Sequence, residues 1–403
     1  MKVNDFFCGA GGMGLGFKYA GFRLAGAWDF DKYAVESYRH NVSPIVKQAD
    51  ITQMTWDEIP YADVWTFGFP CQDISVAGKQ AGMVKGKTRS GLFYEVMRLL
   101  EETETHSPDR LPTVILAENV KAVKKYLPEI EKEYKARGYR MYATLYNSKY
   151  WGVPQNRERY FMIGIHESIE EEFVFPEQQT DFIPKLSSVL EDEVDEKYYI
   201  DNEKAKKVIE QAKKRVEIKG IHACITPDRV NKRQNGRRAK AAEEEMFTLT
   251  AQDRHGVIDV VGRLDIKGQD NIRRVYNPEG IAPTLTTSEG GNRQPKILEI
   301  IFDTNQGAEF KDFADQSQCL LARDYKGFGN QAMNAVIDRF RVRRLTPREY
   351  ARLQGFPDSY KQVVSNTQFY KQMGNAVTVN VAQAIATKIK EFLLKVDRRR
   401  NFK

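Results

Sequence analysis

Short apolar runs that stop at glycine, proline or an acidic residue alternate with stretches whose apolar positions recur at helical spacing. Val3–Phe7 reads as a strand ending in the turn Cys8-Gly9-Ala10-Gly11-Gly12, and Met13–Ala20 as the helix after it. The alternation continues with strand Phe22–Trp28 ending at Asp29, helix Lys32–His40, and strand Asp63–Gly68 ending at Phe69-Pro70-Cys71-Gln72. Strands Thr113–Ala117, ending at Glu118-Asn119-Val120, and Arg159–Ile165 follow. Strand, turn and helix in repetition predict an α/β fold, a parallel doubly wound sheet with helices on both faces. Ligands of such sheets sit beyond the carboxyl ends of the strands, where the polar residues singled out below are expected to fall.

The pattern changes after about Phe175. An acidic segment, Glu167–Glu196, gives way to a basic helical stretch, Lys204–Lys219, and a dense basic loop, Arg229–Lys240. A charge run is usually a solvated face. In the loop, however, Arg, Asn and Gln interleave, and such side chains can read base edges as well as phosphates. Phe247–Gly256, Pro283–Asn292 and Gln318–Gly327 each run from a β-type stretch through an acidic residue to glycine, and read as three related strand-turn units. The pattern turns helical again over Pro347–Gln354 and Val377–Phe392, with a basic, frayed end at Lys395–Lys403.

Composition narrows the classes. A length of 403 residues suits two domains, and 41% hydrophobic with 29% charged residues supports a folded core. A net charge of +7 is compatible with a polyanionic partner without demanding one. Cys8, Cys71, Cys224 and Cys319 stand far apart with no CxxC pair, which argues against a structural metal site and a disulfide framework and for a reducing cytoplasm. No signal peptide or membrane-spanning apolar run is visible.

The glycine turn lets a ligand approach the backbone closely, but it is not the dinucleotide pattern GxGxxG. Asp29, at a strand end, is placed to accept hydrogen bonds from ribose hydroxyls, and Asp50-Ile51 to hold an adenine. These point to an adenosine-bearing ligand without separating S-adenosylmethionine from NAD. Cys71, fixed after Pro70, differs from an ordinary buried cysteine by its company. Glu118, Arg157 and Arg159 are expected at the same sheet edge, which would make an electrophile-activating site. Asp73–Gly91, rich in Gly, Ser, Lys and Arg, reads as a segment able to close over a substrate.

In this order the motifs resemble those of the cytosine-5 DNA methyltransferases of bacterial restriction-modification systems. The motifs are Asp5–Gly12, Asp29–Asp31, Asp50-Ile51, Gly68–Gln72, Glu118-Asn119-Val120, Gln155–Arg159, Arg344–Glu349 with Gln354–Pro357, and Gln372–Val377. They leave out only the variable stretch from about Ile183 to Phe340. The resemblance implies a Rossmann-like catalytic domain over 1–182, a smaller β-rich target-recognition domain over 183–371, and a segment over 372–403 that returns to the catalytic domain. It implies S-adenosylmethionine as methyl donor, lined by Phe7, Gly9, Gly12, Asp29, Phe30, Asp50, Ile51, Pro70, Leu92, Asn375 and Val377. Phe30 stands where many relatives have Trp. It further implies that Cys71 attacks C6 of cytosine, that Glu118 binds the N3 edge and Arg159 the O2 side, and that Arg157 supports that corner.

Duplex DNA is then expected to meet Arg89, Val120, Arg233, Gln234, Arg237, Arg238, Arg254 and Arg323. A monomeric, cytoplasmic, bacterial or phage-encoded enzyme with a cognate restriction endonuclease is the corresponding expectation. A tRNA methyltransferase of the same fold would not need the long basic region. A nicotinamide oxidoreductase would leave Cys71, Glu118 and Arg159 without a task, and a non-catalytic DNA-binding relative would not need the cysteine.

Overall fold

The computed structural model describes residues 1–71, 73–74, 82–184, 186–198, 222–225, 255–258, 260–263, 274–276, 296–301 and 339–401. Two units make up the chain. The first includes Met1–Glu191 and Thr346–Lys403, and the second is drawn from Asp192–Gly280 and Pro295–Leu345. Residues 346–371, expected in the recognition domain, thus belong to the first unit. Thr346-Pro-Arg-Glu349 explains why a helix begins there. The Thr346 hydroxyl accepts from Glu349 N at 3.2 Å, and the Glu349 carboxylate accepts from Thr346 N at 2.7 Å, a reciprocal cap that opens Pro347–Leu353.

The first unit is built on a seven-stranded sheet: β1 (Lys2–Phe6), β2 (Arg23–Asp29), β3 (Val46–Gln48), β4 (Val64–Phe67), β5 (Val114–Val120), β6 (Tyr139–Asn147) and β7 (Glu158–His166). Their order is β3-β2-β1-β4-β5-β7-β6. β1 to β5 are parallel, and helices α1 (Gly12–Tyr19), α2 (Lys32–Asn41), α3 (Phe93–His106) and α4 (Leu127–Lys135) connect and cover them. Strands buried on both faces read as nearly continuous apolar runs, as Val64–Phe67 does. One face packs Trp65, Phe67, Phe93 and Leu99. The other packs Val3, Phe17, Val64 and Ile163 against Ile385 and Ile389. Those isoleucines lie on the closing helix of the chain, which follows α5 (Pro347–Leu353) and α6 (Asn366–Asn375) and is labelled α7 (Val379–Asn401). α7 continues to Asn401 and does not fray at Lys395.

The expectation of an all-parallel sheet needs correcting. β7 runs antiparallel to both β5 and β6. β6 and β7 are joined by residues 148–157 with no crossover helix, and without one a returning strand must reverse direction. The reversal has a chemical consequence. In a parallel strand, residues at its start would lie at the sheet edge away from the ligand; here Arg159, near the start of β7, pairs with Val120 at the end of β5.

Two buried polar residues interrupt β1. Asn4 donates to Pro60 O at 2.7 Å, and Asp5 accepts from Thr66 Oγ1 at 2.9 Å and from Tyr38 OH at 3.4 Å. Burial raises the Asp5 carboxyl to about 7 despite these donors. The folded state therefore holds this proton more tightly than the unfolded chain does. The associated stabilisation is complete below the unfolded value of 3.8 and is lost as pH rises through about 7. At roughly 1.4 kcal/mol per unit, its ceiling is on the order of 4 kcal/mol. Asp5→Asn keeps the shape without the titration. The stability difference between wild type and variant, measured by urea unfolding from pH 4 to 8, should shift in favour of the variant as pH rises; a constant difference would count against a buried protonated Asp5.

In the second unit the described strands are β8 (His222–Ile225), β9 (His255–Ile258), β10 (Val260–Arg263), β11 (Arg274–Tyr276), β12 (Lys296–Ile301) and β13 (Arg339–Arg344). They form a two-stranded sheet β8-β9 and a four-stranded sheet β10-β11-β12-β13, so the described part of this unit is mostly strand, as expected. The basic helix at Lys204–Lys219, the loop at Arg229–Lys240 and the repeated turns lie outside the described residues, apart from His255-Gly256 at the start of β9. Among the described residues, no helix is long and apolar enough to cross a membrane.

Candidate active site

Strand order reverses between β1 and β4, and a cavity of about 630 Å³ opens where the ends of β1, β2, β4 and β5 meet. Its first wall is the turn after β1. Phe7 there has φ 51°, in the left-handed region, a conformation that costs a non-glycine residue about 1–3 kcal/mol. The turn is held by Gly11 N donating to Cys8 O at 2.9 Å and by Gly9 N donating to Asp29 Oδ2 at 2.8 Å. The other Asp29 oxygen accepts from Asp31 N at 2.8 Å. Burial raises the Asp29 carboxyl, against those two amides and Lys371. A Cβ placed on Gly9 would meet nothing closer than 4.0 Å, so ligand atoms have room against this backbone. Phe30, 72% exposed, presents a ring at the rim, with Asp50 and Ile51 on the same lining.

The opposite wall comes from far along the chain. Asn375 and Val377, between α6 and α7, line the cavity with Pro70 and Leu92. Gly12 makes this approach possible, because a Cβ there would stand 2.1 Å from Val377 O. Neither backbone can yield cheaply. Gly12→Ala should lower stability by about 1–3 kcal/mol, as overpacking does, and weaken binding at this wall. Thermal unfolding together with calorimetric titration of S-adenosylhomocysteine would show it; an unchanged melting temperature would refute the close contact.

The reactive corner lies at the ends of β4 and β5. Cys71 follows Pro70, and Asn119 Nδ2 donates to Phe69 O at 2.9 Å, tying this segment to β5. Glu118, almost fully buried, pairs with Arg159, Nε to Oε1 3.1 Å. Arg157 is buried beside them and donates from Nη2 to Gly374 O and Ala376 O, at 3.1 and 2.9 Å. Val120 and Arg89 line the same cavity. All four proposed catalytic residues and all eleven proposed donor-site residues therefore meet at one place. Asn119, Lys371 and Gln372 also line it and carried no assigned role in the sequence. Asn119 was readable within its motif, whereas nothing local marked Lys371, which pairs with Asp31 at 3.3 Å. Of the segment after Cys71, residues 72 and 75–81 lie outside the described residues, as do Arg233, Gln234, Arg237, Arg238, Arg254 and Arg323. Ser90 N donates to Asp73 Oδ2 at 3.2 Å and pins the segment's far end.

Residues 1–391 match the family model for C-5 cytosine-specific DNA methylases. The chain belongs to that family. This methylase is 30% identical to the orphan methyltransferase M.SPBetaI of Bacillus phage SPbeta, over 96% of each chain. It is 28% identical to the type II methyltransferase M.HhaI of Haemophilus parahaemolyticus, over 96% of this chain and 94% of the relative. In fold it matches the crystal structure of S. pombe Dnmt2 methyltransferase, with TM-score 0.57, 18% identity and 98% of both chains covered. A putative DNA modification methyltransferase encoded within an E. coli prophage matches with TM-score 0.56 and 20% identity, over 98% of this chain and 99% of that one. The methylase uses S-adenosylmethionine as methyl donor. The open backbone at Gly9, the exposed Phe30 ring and the carboxylates of Asp29 and Asp50 suit its adenosine part.

Electrostatics divide the methylase's reactive groups. Burial raises the Glu118 carboxyl, with Arg159 and then Arg157 opposing. Burial also raises the Cys71 thiol; Arg159 and Arg157 pull it down and Glu118 pushes it up. Desolvation thus outweighs the pull of the two neighbouring cations on the thiol. Arg157 is pushed down to about 9, by burial first and then by Arg159, and stays charged at neutral pH.

Proposed function

We propose that this DNA cytosine-5 methyltransferase acts on a short specific duplex site by covalent addition of Cys71 to C6 of a cytosine turned out of the helix. The observation that supports it best is that thiol, carboxyl and guanidinium, from Cys71, Glu118 and Arg159, line one cavity with the glycine turn. The target carbon is inaccessible in a stacked helix, and unstacking one base costs a few kcal/mol. Val120 offers the base an apolar contact.

As the Cys71 sulfur bonds C6, electron density moves toward N3. Glu118, whose carboxyl burial raises against the pull of Arg159, donates there when protonated, and Arg159 polarises O2. C5 thereby gains enamine character. S-adenosylmethionine supplies the electrophilic methyl group for it. Loss of the C5 proton to a base then breaks the C6–S bond, Cys71 leaves as thiolate, and N3 returns its proton to Glu118. Transfer of tritium from labelled S-adenosylmethionine to unmethylated duplex DNA tests the reading. Labelling of tRNA in place of DNA, or of neither, would overturn it.

Sequence choice is assigned to residues 183–340, and the protein is taken to act as a monomer because one DNA strand is modified per event; the type II naming of one relative favours a cognate endonuclease, whereas the orphan naming of the phage relative does not. Alanine changes at Arg233, Gln234, Asn235, Arg237, Arg238, Arg254 and Arg323 should sort into two classes. Phosphate contacts weaken binding on every sequence and flatten its salt dependence; base contacts cost roughly 1–3 kcal/mol at one position. Binding to the mapped site and its single-base variants across a salt series separates them. Seven silent changes would move the reader elsewhere.

A further inference from the structure

Arg157 is 2% exposed, yet only Nη2 of its three nitrogens is engaged. Nε and Nη1 are buried and have no hydrogen-bond partner among the described residues. A buried donor without an acceptor is costly, and such groups are kept where a partner arrives or strain is used. The two carbonyls that Arg157 does hold, Gly374 O and Ala376 O, flank Asn375 on the wall that leads to Val377. At its other end the guanidinium interacts electrostatically with Arg159, Glu118 and Cys71. One rigid fork therefore touches the backbone of the donor wall and stands beside the reactive corner.

Resting on the function proposed above, we propose that Arg157 is a positioning residue that couples the two halves of the cavity, the target-base half and the methyl-donor half. Rearrangement of the corner around the turned-out base brings an acceptor to the unused N–H groups and fixes the fork, and the fixed fork steadies the 374–376 carbonyls. By thermodynamic reciprocity, a bound donor presets the fork for the base to the same extent. Lysine carries the charge but has no fork, so it cannot hold two carbonyls and a third acceptor together.

The test compares wild type with Arg157→Lys. The probe is a duplex oligonucleotide carrying the site that the wild-type protein methylates, mapped first by 5-methylcytosine sequencing. Affinity for S-adenosylhomocysteine is measured by calorimetry with and without this duplex. The wild type should bind it on the order of tenfold tighter with the duplex present, a usual size for coupling between sites. In Arg157→Lys the enhancement should fall to about one, with the melting temperature little changed, which a merely structural role would not produce. A wild type that methylates no DNA defeats the proposed function. A wild type that methylates DNA but shows no enhancement, or a variant that keeps all of it, defeats the coupling alone. If the variant does not fold, hydrogen exchange on the wild type decides: the duplex alone should slow exchange in peptides covering 372–380, and unchanged exchange overturns the proposal.

Discussion

Cys71→Ser should abolish methyl transfer, lowering turnover on the order of 10³-fold or more, as loss of a covalent nucleophile does. A serine hydroxyl ionises far less readily than a thiol, and burial that already raises Cys71 would raise it too. The glycine turn, Asp29 and the 375–377 wall do not depend on the sulfur, so affinity for S-adenosylhomocysteine should stay within about threefold. A companion measurement uses duplex DNA with 5-fluorocytosine at the target. Fluorine cannot leave as a proton does, so elimination stalls and wild-type protein should form a denaturant-resistant adduct that Cys71→Ser cannot form. Near-normal turnover by the variant, or an adduct that survives the substitution, would refute attack by this cysteine.

Glu118→Gln should lower turnover by about 10²–10⁴, the range expected for loss of a general acid. Its pH profile is the sharper reading. Addition needs Cys71 as thiolate and Glu118 protonated, which is one proton shared between the two groups. Burial raises both groups, and the carboxyl is paired to Arg159 at 3.1 Å. Between the two transitions, the fraction with one proton on the pair is constant, so wild-type kcat/KM should be flat with pH there. Glutamine removes the shared proton, and only the thiolate requirement remains. The log of kcat/KM for the variant should then climb by about one per pH unit between pH 6 and 8.5. If wild type and variant give parallel profiles, Glu118 is not the proton donor.

The part of the site carried by the parallel strands is the more legible in the sequence, because its residues follow short strands whose ends are marked by glycine, proline or acid. Asp29 ends β2, Cys71 follows β4 and Glu118 lies near the end of β5, as the run lengths implied. Strand direction was not legible. Apolar runs report burial and carry no sign for orientation, so β7 was expected to be parallel and its Arg159 had no physical route to Glu118. β6 escaped notice because Tyr139–Asn147 is an edge strand of mixed polarity, with most positions only half buried. α3 and α4, absent from the elements expected above, do carry a signal, since their buried residues follow helical spacing, as with Val96, Met97 and Leu100. Thr346–Glu349 was noticed as a family motif, yet its Thr-x-x-Glu pattern is also a helix-start signal. That signal agrees with the helix expected from Pro347.

The tail closes on the start of the chain. α7 packs against α1, Lys390 Nζ donates to Ala20 O at 3.0 Å, and the wall at 374–377 completes a cavity begun by residues 5–12. This arrangement sets a timetable for a protein made from its N-terminus on a ribosome. The glycine turn, Cys71, Glu118 and Arg159 are all synthesised early, but they face an unfinished cavity until Val377 has left the exit tunnel. A nascent or prematurely terminated chain therefore carries every reacting group and still lacks the wall needed to use them. Residues 192–280 and 295–345, which are translated in between, must also be made before that wall is in place.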